Sequence, residues 1–279
     1  MAPKEPAGFP YTRDMARPDN EVYTHSQQPV VLASYGTRTA EEAAAFLLAH
    51  LKPGMRILDL GCGPGSITLG LARYVAPAET IGVDQSEEAL AAARALADGQ
   101  SVGNVRFERA NVYELPFQDG TFDVVYGHQI LQHLADPVAA LVEAKRVLRS
   151  GGYVAVRDAD YGTMTHHPHD PMLDEWLETY HRIARNNGGE PDAGRRLMKW
   201  VRAAGFDHLH PTAATWLYAT PEERRGWAEL WAGRRLQEST DNKVYGEEGD
   251  QIIEAFQRWA AEPDGWFAFI HGEVLARKP

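Results

Sequence analysis

The stretch Leu58-Asp59-Leu60-Gly61-Cys62-Gly63-Pro64-Gly65 decides how the rest of the sequence is interpreted. It joins a short apolar run, 56–60, that predicts a buried strand to a helical pattern over Ser66–Val75. Glycine has no Cβ, so such a loop can turn sharply and let a ligand approach its backbone, while the first N–H groups of the helix point at that ligand. The stretch therefore predicts a ligand-binding loop between a strand and a helix.

Two common nucleotide-binding motifs do not match this loop. A dinucleotide fingerprint, Gly-x-Gly-x-x-Gly, needs its third glycine where this sequence has Ser66. The Gly-x-x-x-x-Gly-Lys-Ser/Thr motif of nucleoside triphosphatases does not occur in the sequence. The pattern disfavours a nicotinamide dinucleotide and gives no support to a nucleoside triphosphatase.

Strands and helices alternate through the first 160 residues. Apolar runs predict further strands at Thr80–Asp84, 105–110, 122–126 and 153–158. Capping residues and helical spacing predict helices from Thr39 to the Pro53-Gly54 pair and over 66–75, 86–96 and 137–148, the last closed by Gly151-Gly152. Because parallel strands need long crossover connections, this alternation predicts the α/β class, with a mostly parallel sheet and helices on both faces.

Residues 161–279 follow a helix-rich and Trp-rich pattern. Helices are predicted from Asp170-Pro171 and over 193–204, 221–236 and 250–261, and their aromatic side chains form either a core or the wall of an apolar pocket. Two late strands, 212–219 and 266–276, are expected to pair antiparallel at the edge of the sheet. The chain thus divides into an N-terminal arm (1–38), a ligand-binding core (39–160) and a helix-rich substrate or lid region that completes the sheet (161–279).

The composition limits the classes of function. A chain of 279 residues that is 44% hydrophobic and 24% charged is typical of a globular protein, and it contains no apolar run near the ~20 residues of a membrane span. The polar, Pro-rich first twenty residues do not resemble a secretory signal, so we expect a cytoplasmic protein. The single cysteine, Cys62, excludes an internal disulfide framework. The net charge of -11 disfavours nucleic acid as a partner.

The loop and its surroundings resemble the class I S-adenosylmethionine-dependent methyltransferases over about residues 20–160. Asp59, Gly61, Gly63 and Gly65 match the first motif of that family, which follows the first strand of a Rossmann-like domain. The segments 115–117, 122–125 and 128–133 also resemble its quinone-biosynthesis and sterol branch, whose members act on small molecules. The resemblance implies that the cofactor is S-adenosyl-L-methionine.

The same resemblance suggests how the cofactor is held. It implies that the Asp84 carboxylate accepts the ribose hydroxyls, and it places Asn111 where relatives often have an aspartate for the adenine amino group. The N-terminal arm is expected to fold over the cofactor, with Arg38 at its carboxylate. The residues predicted to bind the cofactor are Tyr23, Gln27, Arg38, Asp59, Gly61, Cys62, Gly63, Gly65, Asp84, Gln85, Asn111, Val112, His128 and Gln129.

The acceptor and its chemistry stay open at this level. His128 and His133 follow the fourth strand and Asp158 the fifth, so these three are predicted to be catalytic, with histidine suited to proton removal near neutral pH. No metal site is predicted from His166, His167 and His169, because neighbouring side chains point apart in an extended chain.

Several functions fit these patterns. We expect methyl transfer to oxygen, nitrogen or carbon of a small, apolar or aromatic acceptor by a monomer or homodimer. The alternatives are a protein that binds the cofactor and catalyses a cyclisation or pericyclic step without methyl transfer, and a macromolecular modifier or regulatory binding module.

Overall fold

A seven-stranded sheet organises the part of the chain that the computed structural model describes, residues 35–238 and 249–279. Its strands are β1 (Ile57–Leu60), β2 (Thr80–Asp84), β3 (Val105–Arg109), β4 (Phe122–His128), β5 (Leu148–His167), β6 (Asp207–Tyr218) and β7 (Trp266–Arg277). They lie in the order β3-β2-β1-β4-β5-β7-β6, and β7 runs antiparallel to both of its neighbours. This confirms the predicted Rossmann-like sheet with antiparallel pairing at one edge, where β7 lies second from the edge.

Helices cover both faces of the sheet. They are α1 (Ala40–Ala43), α2 (Ala45–Leu48), α3 (Ser66–Val75), α4 (Glu87–Gln100), α5 (Pro137–Val147), α6 (Pro171–Asn186), α7 (Leu197–Ala203), α8 (Pro221–Glu238) and α9 (Gly249–Ala261). Since successive strand residues point to opposite faces, Ile57 packs with α1 to α3 while its neighbour Leu58 packs with α5 and α7. The parallel strands are therefore buried on both sides, as an α/β fold requires.

The helix predicted from Thr39 is interrupted. Thr39 caps α1 as expected, because its side chain accepts the backbone N–H of Glu42 (3.2 Å). Ala44, however, has φ -128°, which separates α1 from α2. Ala40 then packs on Gly70 of α3, and Leu47 enters the core. Tertiary packing on two surfaces thus replaces the single helix that the apolar stripe predicted.

The fifth strand is much longer than predicted. It begins at Leu148, directly after α5, so the Gly151-Gly152 pair lies inside the strand and does not close the helix. It continues to His167 by pairing with β7, with a register shift between Asp160 and Thr165. It therefore crosses residue 160, where the sequence placed a boundary between two functional regions. The division of labour between those regions stays a prediction.

The helices after β5 enclose a second, aromatic core. Trp176 of α6, Trp231 of α8 and Phe256 of α9 pack on Phe267 and neighbouring residues of β7, and all are buried. These rings form core packing, one of the two alternatives that their helical spacing allowed. The helix predicted over 193–204 begins as a 3₁₀ turn, Ala193–Arg196, before α7.

Candidate active site

A cleft opens at the carboxyl ends of β1, β2 and β4, where the order of the strands reverses. In open α/β sheets this switch point is the usual position of a ligand. The empty space of the cleft, about 1240 Å³, includes open solvent at its mouth. Among the predicted cofactor residues, those that line it are Arg38, Asp59, Gly61, Cys62, Gly63, Asp84, Gln85, Val112, His128 and Gln129.

Two glycines of the loop have different roles. Gly63 and Gly65 both have positive φ values, 52° and 81°, which side chains with a Cβ rarely adopt. A Cβ on Gly63 would meet no atom within 4 Å, so glycine keeps this wall of the cleft open. A Cβ on Gly65 would lie 2.8 Å from Ala93 and from Phe107, so glycine there lets α3 pack against its neighbours. Gly65 does not line the cleft.

The Asp84 carboxylate is fixed at the end of β2. Its Oδ2 accepts the backbone N–H of Gly63 (3.0 Å) and its Oδ1 that of Ser86 (2.9 Å). A carboxylate offers about four acceptor positions, so each oxygen can accept a further hydrogen bond from a ligand in the cleft. Burial raises the pKa of Asp84, which means that the ionised group is poorly solvated. A pair of ligand hydroxyls would fit this acceptor.

Asp59 connects the loop to the following helix. It is buried in β1, and its Oδ2 accepts the hydroxyl of Thr68 in α3 (2.6 Å). Burial raises its pKa to about 7. The side chain lines the cleft and also ties β1 to α3.

Asn111 is not among the residues that line the cleft, and its expected contact with adenine stays a prediction. Its side chain is exposed, and its amide oxygen already accepts the backbone N–H of Tyr113 (3.0 Å) in a local turn. Ala110 and Val112 line this side of the cleft instead and form an apolar wall. In the loop after β3, the residues directly before and after Asn111 thus line the cleft.

His128 is the last residue of β4 and lies on the cleft wall. It is buried, and neither ring nitrogen has a hydrogen-bond partner within the described residues. Burial, with added effects from Arg38, Arg157 and His271, holds the pKa of His128 well below its ordinary value. The ring is therefore neutral at pH 7 and offers one nitrogen that can accept a proton.

His133 and Gln129 flank His128 along the wall. His133 lies in the 3₁₀ turn Leu131–His133, half-buried, with its Nε2 3.0 Å from the Gln132 amide nitrogen. Gln129 has φ 53° and donates its backbone N–H to the carbonyl of Arg157 (2.7 Å). Both side chains reach the cleft.

Asp158 does not face the cleft, although the sequence suggested it as a catalytic residue. It lies inside β5, fully buried, and accepts the backbone N–H of Gln132 (3.1 Å). Burial raises its pKa to about 8. Asp158 therefore supports the 3₁₀ turn that carries His133. Tyr23 and Gln27 lie outside the described residues.

A set of polar residues beside the cleft was missed by the sequence patterns. We call Arg38, His128, Arg157 and His271, grouped around the ring of Trp216, the cationic cluster. Strand pairing places His128 opposite Arg157, and Arg157 opposite Glu273. An arginine within the apolar run 153–158 was a usable signal, because unpaired charges are rarely buried. Its partners come from β6 and β7 and could not be chosen without the register of the sheet.

Two of the three histidines His166, His167 and His169 do come close to a carboxylate. Single ligand atoms of His166, His169 and Asp174 lie within 4.8 Å of one another. His166 and His167 belong to β5, where the sequence predicted a loop. The Nε2 of His166 already accepts the backbone N–H of Asp170 (3.2 Å) in the turn that starts α6. Its lone pair is therefore used in a hydrogen bond and is not available to a metal ion. We assign this group to the support of that turn.

Comparison with known proteins identifies the family. The model of a methyltransferase domain matches residues 51–205. The chain belongs to the class I S-adenosylmethionine-dependent methyltransferases. It is 36% identical to an uncharacterized methyltransferase of Schizosaccharomyces pombe, over 95% of this chain and 99% of the relative. It is 34% identical to the probable methyltransferase ltbC of Aspergillus luteorubrus, over 87% of this chain and 92% of the relative.

A solved structure shares the fold of this methyltransferase. The YcgJ protein of Bacillus subtilis superposes with a TM-score of 0.58 at 22% identity, over 85% of this chain and 97% of that one. The enzyme is therefore an S-adenosylmethionine-dependent transferase, and the residues of its cleft offer the carboxylate and the open glycine wall that this cofactor needs. No helix within residues 35–238 and 249–279 is long and apolar enough to cross a membrane.

Proposed function

We propose that this methyltransferase transfers the methyl group of S-adenosylmethionine to a small organic acceptor held in the same cleft. The proposal rests on one observation: Asp84 and His128 line the same cleft. The Asp84 carboxylate keeps unused acceptor positions, and the ring nitrogens of His128 have no hydrogen-bond partner within the described residues. The bound cofactor supplies an electrophilic methyl group. The protein has to hold the acceptor in line with that group and keep water away.

The cofactor half of the cleft is built by the loop after β1 and the end of β2. We propose that Asp84 binds the ribose hydroxyls, because both of its oxygens keep a free acceptor position after bonding to Gly63 and Ser86. The apolar side chains of Ala110 and Val112 would lie against the adenine ring. The open backbone at Gly63 admits the cofactor close to the chain.

We propose that His128 accepts a proton from the acceptor. It is neutral, lies on the cleft wall and has no competing hydrogen bond within the described residues. His133 lines the same cleft but its ring contacts Gln132, so it is the weaker choice. Asp158 would act only by positioning the turn of His133.

The names of relatives do not select the acceptor atom. They include an O-methyltransferase, resE of Aspergillus sclerotiorum, 31% identical over 80% of this chain and 76% of the relative. They also include a cycloartenol-C-24-methyltransferase of Oryza sativa subsp. japonica, over 56% of this chain and 45% of the relative. A solved [4+2]-cyclase, SpnF, shares the fold at a TM-score of 0.52, but no residue of this cleft favours cyclisation.

The wider setting of the enzyme is also a proposal. The acidic net charge of -11 supports a small molecule over a nucleic acid as the acceptor, and the single cysteine fits a reducing, cytoplasmic compartment. We propose that the enzyme acts there as a monomer or homodimer.

Calorimetric titration of the purified full-length chain with S-adenosylmethionine and S-adenosylhomocysteine tests the cofactor half of the proposal. We expect saturable binding of both ligands at one site per chain. Formation of S-adenosylhomocysteine in the presence of a panel of small acceptors tests the other half. A folded protein that binds neither ligand would refute the proposed function.

A further inference from the structure

Two members of the cationic cluster, Arg38 and His128, line the cleft, while Arg157 and His271 are buried beside them around the Trp216 ring. Arg38, from the segment before α1, and Arg157, from β5, each place a guanidinium carbon 5.0 Å from the centre of the Trp216 ring. His271 of β7 lies 4.2 Å from the same ring, centre to centre. Segments that are far apart in the sequence thus bring two guanidinium groups and two imidazole rings together around Trp216.

The hydrogen-bonding capacity of this cluster is largely unused. All three guanidinium nitrogens of Arg157 and both ring nitrogens of His128 are buried without a hydrogen-bond partner in the described part of the chain. Glu273 balances the charge of Arg157, with Oε1 3.1 Å from Nε but without the geometry of a hydrogen bond, and its Oε2 accepts the hydroxyl of Thr212 (2.7 Å). Buried polar atoms without partners are rare and cost about 1–3 kcal/mol each, so the positive charge of Arg157 is not dissipated by hydrogen bonds and adds to the potential at His128, which lines the cleft.

Arg38 gives the cluster a second positive charge, which no carboxylate of the described residues pairs with. Arg38 lines the cleft and contacts Tyr35 (4.3 Å) and Trp216, and within residues 35–238 and 249–279 it forms no ion pair. The charged or titratable groups that act on His128 are Arg38, Arg157 and His271, and all of them oppose its protonation. In a protein with a net charge of -11, this local potential favours an anion and disfavours a protonated amine.

We propose that the acceptor carries an acidic hydroxyl group on an aromatic ring and is held as its oxyanion beside Arg38, in the positive potential to which the buried Arg157 contributes. This inference rests on the proposed function and adds the class of acceptor. A phenol ionises near pH 10 in water, and neighbouring cations lower such a pKa by about 1–3 units. The same cations oppose a proton on His128, but the negative charge of the oxyanion offsets that effect, so the proton passes between the two groups as a coupled pair. An alcohol is too weak an acid for this base, and an amine that arrives protonated is repelled.

The methyl transfer needs one base, one nucleophile and one leaving group. A ring nitrogen of His128 takes the hydroxyl proton, and an oxygen lone pair forms the bond to the methyl carbon. The bond between that carbon and sulfur breaks with its electrons passing to sulfur, which leaves an aryl methyl ether and S-adenosylhomocysteine. His128 then releases its proton to solvent. Arg38 and Arg157 stabilise the negative charge on the oxygen before attack.

A coloured probe tests the oxyanion site. The full-length protein is saturated with S-adenosylhomocysteine and titrated with 4-nitrophenol, whose ionised form alone is yellow, at a pH about one unit below the pKa of the free phenol. We expect saturable binding with appearance of the yellow form, because the pKa of the bound phenol falls by about one unit or more. Calorimetry should show that 4-nitroaniline, which has the same ring without an acidic hydroxyl, binds at least about tenfold more weakly.

Variants separate the charge from the shape of the site. Arg38→Gln should weaken binding of the phenol about tenfold and remove most of its pKa shift, whereas Arg38→Lys should retain both. Arg73→Gln, the same change at an exposed site on α3, should behave as wild type. A phenol that binds in its neutral form, equal binding of 4-nitroaniline, or no binding of either probe would overturn the proposal.

A further arm separates the acceptor from the cofactor, whose own carboxylate is the other anion in the cleft. S-adenosylhomocysteine and 5′-methylthioadenosine, which lacks the amino acid part, are titrated into wild type and Arg38→Gln. The family resemblance implies that Arg38 binds the cofactor carboxylate, whereas the present proposal assigns Arg38 to the acceptor, so we expect the variant to bind both ligands about as well as wild type. A selective loss of S-adenosylhomocysteine affinity would assign Arg38 to the cofactor and overturn the acceptor site. Absence of cofactor binding by wild type would instead refute the proposed function itself.

Discussion

Replacing Asp84 with alanine is the sharpest test of the cofactor site. The carboxylate anchors the glycine loop through the N–H of Gly63 and the start of α4 through the N–H of Ser86. Its two remaining acceptor positions face the cleft, where we expect the ribose hydroxyls. The variant removes both the ligand contacts and the anchor of the loop.

The size of the effect follows from these contacts. A hydrogen bond to a charged group contributes about 1.5–3 kcal/mol, but the ligand hydroxyls regain water when the contact is lost. We therefore expect Asp84→Ala to weaken cofactor binding by about 1–3 kcal/mol, or roughly 5- to 150-fold in Kd. The loss should tend to the upper end, because burial leaves this carboxylate poorly solvated without a ligand. Stability should also fall, because the backbone N–H groups of Gly63 and Ser86 lose their acceptor, although removal of a poorly solvated charge offsets part of that loss.

Calorimetry on wild type, Asp84→Ala and Asp98→Ala measures this effect. Asp98 lies exposed on α4, so its replacement removes the same charge from the same part of the fold without touching the cleft. We expect wild-type affinity from the Asp98 variant. If Asp84→Ala binds S-adenosylhomocysteine as tightly as wild type while remaining folded by circular dichroism, the ribose assignment is wrong.

Three further predictions concern the loop, the support of the 3₁₀ turn and the base. Gly65→Ala should cost more unfolding free energy than Gly63→Ala in denaturant titrations, about 1–3 kcal/mol of overpacking beyond the shared cost of a positive φ, while Gly63→Ala should mainly weaken cofactor binding. The pKa of Asp158 is raised from 3.8 to about 8 in the folded state, so this group lowers stability as pH rises between those values; Asp158→Asn should raise the melting temperature at pH 7 far more than at pH 4, and an equal change at both would contradict its burial as a neutral acid. The NMR signals of the His128 ring should not titrate near pH 6.5, the ordinary histidine value, and a protonation step there would exclude it as the neutral base.

Local signals made much of the cofactor half predictable. The glycine loop, Asp84 and the caps Thr39, Ser86 and Asp136 are recognisable because turn and capping chemistry depends on neighbours only a few residues away. The same locality has a limit. Asn111 forms a local turn through its amide oxygen, so its expected contact with adenine stays a prediction. A strand's length depends on its partner, so β5 could not be bounded from its own apolar run.

The sequence by itself determined the α/β class, the family and the loop that binds the cofactor, since periodicity and short motifs report on local backbone geometry. Only the tertiary structure decided which side chains meet on the acceptor side. His128, Arg157, Glu273 and Trp216 come from four different strands, and the pairing of β5 and β6 with β7 sets which of their residues share a rung and a face. Because a shift of one residue in that pairing would turn each side chain to the opposite face, the cationic cluster is a property of the sheet register and of no single segment.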